Sequence, residues 1–282
     1  MAALAEDSLQ APAPAAGYIR ALDGAPLYCV HHPAAPILNP QRRFPPVVIV
    51  PPLFEERKSA YATLRRLAER LALNGHAVMR FDFRGGGESG GAAGLRRWRH
   101  LSEDVAVVRK TLARLSGARD SVLLGLRMGG TLALLETLRV GGEAVLALAP
   151  VVSGSAQARL WKMRSKIRAE LTQENAGGEA ARPGSKDNAV FDFDGFEIGR
   201  AFLDDLSQVD LLKDGHALSC PGRILQLSHR TEFSTETIAL QKVLGARAKS
   251  VCLRVEPFWD KVDDVDTRPL EDAVLQALQE MD

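Results

Sequence analysis

Apolar and polar positions along this chain follow two periods in turn, one typical of strands and one typical of helices. Val47 to Val50 is a run of four β-branched residues between prolines, which is typical of a buried parallel strand. From Ser59 to Leu73, leucines recur at helical spacing with arginine and glutamate between them, which predicts a helix with one apolar face. Further predicted elements are strands at Ala77–Phe83, Ser121–Leu124 and Ala144–Ala149 and a helix from Ser102. This alternation predicts an α/β fold with a mostly parallel, doubly wound sheet.

The pattern changes at both ends of this region. Tyr18–Leu22 and Leu27–His31 flank an Asp-Gly pair, which predicts an antiparallel hairpin. Residues 153–218 interrupt the alternation with a basic amphipathic helix (Gln157–Leu171), a polar segment (Thr172–Asn188) expected to be a mobile loop, and a second helix (Ala201–Leu212). We therefore expect a disordered leader over residues 1–16, a core over 17–152, an inserted helical lid over 153–218, and a resumed core over 219–282.

The most informative motif is Gly125-Leu126-Arg127-Met128-Gly129, between an apolar strand and an apolar helix. Its glycine spacing is that of a nucleophile elbow, a sharp strand-to-helix turn that holds a catalytic serine in hydrolases. Arginine stands at the serine position. Because a guanidinium stays protonated at neutral pH, Arg127 is neither a nucleophile nor a base there.

Composition narrows the function classes. The 282 residues are 46% hydrophobic and 25% charged with a net charge of +1, so neither a nucleic-acid partner nor stable membrane insertion is expected. The three cysteines have no metal-like spacing, and we expect neither a metal nor a cofactor. The N-terminus lacks the basic and apolar regions of a signal peptide, and no apolar run approaches the roughly 18 residues of a membrane span. A cytoplasmic location is the expectation.

Five short motifs, in the same order along the chain, resemble signatures of one family. They are Pro51-Pro52-Leu53-Phe54-Glu55-Glu56, the arginine-bearing elbow, Pro150-Val151-Val152-Ser153-Gly154, Gly195-Phe196-Glu197-Ile198 and Pro257-Phe258-Trp259. On these residues the chain resembles the exosortase A system-associated hydrolases of type 2, or a side branch of that group. The resemblance implies an α/β-hydrolase fold and a role in exopolysaccharide or exosortase-related processes.

A hydrolase triad needs a nucleophile, a base and an acid that orients the base. The base is expected after the last strand, yet no histidine follows His229, and Trp259 and Asp260 occupy that loop. Glu232 or Asp210 could supply the acid, but such an acid would have no histidine to orient. Ordinary serine-hydrolase chemistry is therefore not expected.

Glu55 and Glu56 follow the third strand, in the loop expected beside the elbow, and with Arg127 they form the candidate catalytic set. Three interpretations remain open. A glutamate–arginine ion pair closes an inactive site. Alternatively, Arg127 binds a ligand carboxylate or phosphate, as a guanidinium does well. In the third interpretation, Glu55 or Glu56 is a general base for water and Arg127 stabilises the oxyanion.

Five further residues are candidates for ligand contact, because each lies on a loop expected at the same sheet edge: Leu53, Phe54, Met128, His229 and Trp259. For Met128 simple packing is the alternative, and for His229 an ordinary core or surface position. The sequence as a whole favours a degenerate hydrolase that binds a small anionic or acyl ligand. The alternative is an active ester or thioester hydrolase that uses Glu55 or Glu56 with Arg127. Neither of these two functions specifies a protein partner.

Overall fold

The computed structural model describes residues 12–36, 44–175, 190–193, 195–261 and 265–281. Its strands are β1 (Ala15–Arg20), β2 (Pro26–His32), β3 (Val47–Val50), β4 (Val78–Phe81), β5 (Val122–Leu126), β6 (Val145–Leu148), β7 (Val190–Phe193), β8 (Phe196–Gly199), β9 (Gly222–Leu227) and β10 (Ala248–Leu253). Its α-helices are α1 (Phe54–Leu73), α2 (Trp98–Leu115), α3 (Met128–Val140), α4 (Gly154–Asn175), α5 (Arg200–Ser207), α6 (Leu211–Asp214), α7 (Thr235–Leu244) and α8 (Arg268–Glu280).

Eight strands form one sheet in the order β1-β2-β4-β3-β5-β6-β9-β10. The pairs β1–β2 and β2–β4 are antiparallel, and every other neighbouring pair is parallel. The predicted N-terminal hairpin and mostly parallel sheet are therefore confirmed. Val50 pairs with Gly125, so the carboxyl ends of β3 and β5 lie level with each other beneath the two loops that carry the candidate site.

Helices cover both faces of the sheet, as the doubly wound pattern predicts. On one face, α1 and α8 bury leucines such as Leu67 and Leu270 against β3 and β5. On the other face, α2 and α3 pack through residues such as Val105 and Leu132, and part of the inserted segment joins the same apolar cluster. All four residues of β3 are buried, because helices enclose that strand on both sides.

Several element boundaries differ from the predictions. The first helix begins at Phe54 rather than Ser59, because Pro51 and Pro52 end the preceding strand and the glutamates that follow suit the positive end of a helix. The second helix begins at Trp98 rather than Ser102. The predicted helix Ala201–Leu212 is divided into α5 and α6, and Asp210 between them caps α6 by accepting a hydrogen bond from the Leu212 N–H.

The boundaries of the leader and the insertion also differ. β1 begins at Ala15, inside the predicted 1–16 leader, because Ala15 pairs with His31 across the hairpin. α4 extends to Asn175, four residues into the segment expected to be a loop. The rest of that segment, together with residues 1–11, lies outside the described residues.

The inserted segment lies between β6 and β9 in the chain and consists of α4, the antiparallel hairpin β7–β8, α5 and α6. The predicted short strand around Phe191 is confirmed as β7. α4, β7–β8 and α5 together are called the lid below. Among the residues that the structure describes, no helix is both long and apolar enough to cross a membrane.

The glycine-rich loop after β4 is held by ion pairs. Arg84 is 5% exposed and donates through Nε to Asp104 at 2.8 Å and through Nη1 to Asp23 at 2.8 Å. Burial raises the pKa of Asp104, while the hydrogen bonds and the charge of Arg84 oppose that rise. These contacts fasten the loop to α2 and to the N-terminal hairpin, as expected of a structural turn.

Candidate functional site

The elbow between β5 and α3 has the geometry of a nucleophile elbow. Arg127 has a φ of 55° and a ψ of −120°, a strained conformation for a non-glycine residue. A Cβ atom added at Gly125 would lie 2.1 Å from the Gly129 carbonyl oxygen, and one added at Gly129 would lie 2.2 Å from the Val50 carbonyl oxygen. Glycine at both flanking positions is therefore a steric requirement of this turn.

The Arg127 side chain contacts three different parts of the chain. Its Nε donates to Glu56 Oε1 at 3.3 Å and its Nη1 donates to the Ala149 carbonyl at 3.1 Å. Its Cζ lies 5.4 Å from the centre of the Trp259 ring, within the range of a cation–π interaction. The side chain is 20% exposed. Among the described contacts, Nη2 makes no hydrogen bond.

Glu56 lies in the first turn of α1, and its side chain is 8% exposed. Oε1 accepts the bond from Arg127, but Oε2 is buried without a hydrogen-bond partner. Burial raises the pKa of this carboxyl above its usual range, the charge and the hydrogen bond of Arg127 oppose the rise, and the negative charge of Asp260 adds to it. Glu56 is therefore a carboxyl group whose charge depends on Arg127.

Trp259 occupies the loop after β10, where the base of a triad is expected. The residue is 6% exposed, and its ring packs edge-on against Phe258 at 5.3 Å. Trp259, at the base position, thus lies against Arg127, at the nucleophile position. Neither side chain can accept a proton at neutral pH. Asp260 points to the lid instead, where its carboxylate lies 3.8 Å from Arg164 of α4.

Glu55 and His229 lie apart from this cluster. The Glu55 side chain is 45% exposed and pairs with Lys58 at 3.3 Å rather than with Arg127. His229 is exposed after β9. The structure therefore brings Arg127, Glu56 and Trp259 together and leaves these two candidates outside.

Leu53, Phe54 and Met128 are near the elbow but buried, at 3%, 5% and 0% exposure. Met128 is a core residue, as its alternative interpretation proposed. Phe54 has a φ of 55°, and its ring contacts the lid ring of Trp161 at 5.0 Å. The Phe54 ring therefore lies between the elbow side of the fold and the lid.

Two helices begin beside Arg127. Leu53 precedes α1 and Arg127 precedes α3, and neither residue caps its helix with a side-chain hydrogen bond. The close approach of Gly129 to Val50 places these two helix starts next to each other. Both carry partial positive charge, which adds to the charge of Arg127 and favours an anion at this point.

The sequence interpretation missed the contacts between the lid and the elbow. The Arg164–Asp260 pair and the ring contact of Phe54 with Trp161 join α4 to the two loops beside Arg127. In the sequence, the insertion shows only a basic helix and scattered aromatic residues. Neither feature predicts which residues of the core these side chains contact. Among the described residues, no cluster of three or more histidine, cysteine, aspartate or glutamate side chains could hold a metal.

Comparisons with known proteins agree with this geometry. The profile of the family described as serine aminopeptidase, S33, matches residues 53–192. A search of curated proteins found no match. Among solved structures, Est1E from Butyrivibrio proteoclasticus with bound ferulic acid has a TM-score of 0.66 at 19% identity, over 94% of this chain and 98% of that one.

Two further solved structures are similar over almost the whole chain. The Pyrococcus furiosus esterase PF2001 has a TM-score of 0.63 at 14% identity, over 100% of this chain and 96% of that one. A proline iminopeptidase-related protein from Thermus thermophilus has a TM-score of 0.62 at 20% identity, over 96% of this chain and 99% of that one. With its parallel sheet, its elbow and its insertion after β6, the chain is an α/β-hydrolase-fold protein.

Proposed function

We propose that this protein does not hydrolyse esters by a triad but binds a small carboxylate-bearing or acyl ligand at Arg127. One observation carries this proposal. The residues at the expected nucleophile and base positions contact each other, because the Arg127 guanidinium lies over the Trp259 ring. A fixed guanidinium beside two helix starts is suited to a ligand carboxylate. The Trp259 ring adds an apolar surface for the body of the ligand.

The protonation state of Glu56 controls this binding. A ligand carboxylate at Arg127 would compete with Glu56 for the guanidinium, and the raised pKa of Glu56 lets that carboxyl take up a proton instead. Binding would then be linked to uptake of one proton at Oε2, the atom without a partner. The affinity of an anionic ligand should rise as pH falls toward the raised pKa of Glu56.

The role in exopolysaccharide or exosortase-related processes and the cytoplasmic location remain part of this proposal, and they are supported by the sequence motifs and composition. The hydrolase architecture is consistent with a small-molecule ligand. Est1E, a protein of the same fold, is described with bound ferulic acid. Ferulate, an aryl carboxylate, is therefore a reasonable probe of the Arg127 site.

Isothermal titration with ferulate tests the binding proposal. We expect the wild type to bind ferulate and Arg127→Met to lose at least about tenfold in affinity, because a charge-assisted hydrogen bond is lost. Glu56→Gln should bind more tightly than the wild type near neutral pH, because the competing carboxylate is gone. Glu55→Gln is the matched control and should stay within about twofold, since Glu55 pairs with Lys58. Binding that is indifferent to Arg127, or weaker in Glu56→Gln, would overturn the proposal.

One observation favours a second function, hydrolysis with Glu56 as general base. The carboxyl is buried, its pKa is raised and Oε2 has no partner, which are properties of catalytic carboxylates. In that case Arg127 would stabilise the oxyanion.

A p-nitrophenyl acetate assay separates the two functions. Because no nucleophile stands at the elbow and Glu56 already holds Arg127, we expect the wild type to release p-nitrophenol no faster than Glu56→Gln. Turnover that both Glu56→Gln and Arg127→Met reduce by about a hundredfold or more would instead establish the hydrolase.

A further inference from the structure

The lid contains a cavity of about 330 Å³ that is separate from the Arg127 site. Its size is within the range of about 300–1,000 Å³ typical of small-molecule pockets. The apolar part of its wall comes from α4, the β7–β8 hairpin and α5, through Trp161, Phe191, Phe193, Ile198 and Leu203. Of these only Phe191 is exposed, at 37%, so its ring lies at the cavity mouth while the other four form the interior.

Two lysines complete the lining, and they lie on consecutive turns of the same helix. Lys162 and Lys166 are four residues apart on α4, which places them on one side of that helix. Both side chains are exposed, so they bring positive charge to the mouth while the helix wall below them is apolar. The cavity is therefore apolar inside with positive charge at its rim.

From this arrangement we propose that the lid cavity binds a single-chain amphiphile with an anionic head, such as a fatty-acid carboxylate. The chain lies against Trp161 and Leu203, and the head group pairs with Lys162 at the rim. A polar body would lose its hydration against aromatic and aliphatic walls, whereas an alkyl chain gains about 25 cal/mol per Å² of apolar area removed from water. A cationic head would meet two like charges.

This site goes beyond the binding proposed at Arg127, because an aromatic layer divides the two. Phe54 contacts two rings of the cavity wall, Trp161 at 5.0 Å and Phe193 at 6.0 Å. Neither Phe54 nor Arg127 is part of the lining. Binding in the lid should therefore not require Arg127, and each proposal can fail without the other.

Calorimetric titration with decanoate below its critical micelle concentration tests the lid site. We expect one decanoate per chain in Arg127→Met, where the carboxylate site proposed above is removed, and much weaker binding of decyltrimethylammonium, which has the same chain with a cationic head. Acetate, which has the head without the chain, should not bind in the lid. The double change Lys162→Gln with Lys166→Gln should lower decanoate affinity by about five- to tenfold, whereas Lys213→Gln, at an 82% exposed lysine outside the lid, should not change it.

Variants of the cavity itself complete the experiment. Ile198→Trp fills the interior and should abolish decanoate binding while ferulate binding persists. Because Ile198 is 2% exposed and this variant can fail to fold, Phe191→Glu at the partly exposed mouth provides a second test and should also weaken decanoate. Decanoate affinity unchanged in Phe191→Glu, dependent on Arg127, or equal for the cationic analogue would overturn the proposal. Binding only to anionic phosphatidylglycerol vesicles, with no binding of monomeric decanoate, would do so as well.

Discussion

Replacing Arg127 with methionine should lower the free energy of unfolding by about 3 kcal/mol near pH 8, since removing one partner of a largely buried ion pair leaves the other uncompensated. Methionine keeps most of the apolar volume, so the change removes mainly the guanidinium with its charge and its hydrogen bonds. Urea denaturation at a series of pH values measures the effect. Arg268→Met is the control, because Arg268 is 79% exposed and its pair with Asp266 should contribute nothing measurable.

The loss should depend on pH in a defined direction. Burial raises the pKa of Glu56 in the folded protein above its value in the unfolded chain. The contribution of Glu56 to the free energy of unfolding is therefore fully present below the unfolded-state pKa and is lost as pH rises through the folded-state pKa. In Arg127→Met the charge and the hydrogen bond of Arg127 no longer lower this pKa and only the charge of Arg164 does, so the carboxyl titrates at higher pH still. The deficit relative to wild type should therefore be small below about pH 4 and grow above it by at most about 1.4 kcal/mol per pH unit. A deficit that is constant with pH would show that Glu56 does not respond to Arg127.

The second large effect is expected at the elbow glycine. Gly129→Ala should destabilise the fold by about 3 kcal/mol or more, because the added Cβ would lie 2.2 Å from the Val50 carbonyl oxygen and 2.5 Å from that of Pro51. Both obstructing atoms belong to backbone and cannot rotate away. Thermal unfolding followed by circular dichroism measures the change.

Gly17→Ala provides the matched control for this prediction. Nothing lies within 4 Å of a Cβ atom at Gly17, and its φ is not positive, so the change should stay within about 0.5 kcal/mol. Equal stability of Gly129→Ala and wild type would mean that α3 can move away from β3, and the tight elbow described above would be wrong.

The sheet and the elbow were predictable because their signals are local. Four β-branched residues between prolines specify β3, and two glycines four residues apart specify the turn around Arg127. Both elements can be predicted without knowledge of contacts between distant parts of the chain. The helix start was missed by five residues because Phe54 to Lys58 has no apolar periodicity, and the burial of Phe54 and Glu56 comes from the lid and the elbow.

The start of α1 at Phe54 determines which glutamate contacts Arg127. Neighbouring residues on a helix point about 100° apart, so Glu55 and Glu56 cannot face the same way once α1 includes both. In a loop, either residue could turn inward, and the sequence offered no means to choose. Trp259 was correctly assigned to the expected base loop, but its stacking on Arg127 depends on how that loop folds after β10.

The lid cavity depends on contacts that no local pattern specifies. Trp161, Phe193 and Leu203 come from three elements, and their common cavity forms only when hairpin and helices pack together. The sequence did indicate a basic helix and an alternating strand in the insertion. It could not indicate that these elements enclose space.

The position of the lid in the chain has a consequence for how this fold can vary. β6 and β9 are parallel neighbours, with Val145 beside Gly222, yet the whole inserted segment separates them in sequence. Closing such a long loop costs entropy that grows only logarithmically, so doubling its length costs about 0.6 kcal/mol. Insertions between Leu148 and Gly222 that leave the buried side chains of this segment in place therefore disturb the sheet little. The part of the chain that encloses the cavity is also the part that can be lengthened most readily while the elbow stays in place.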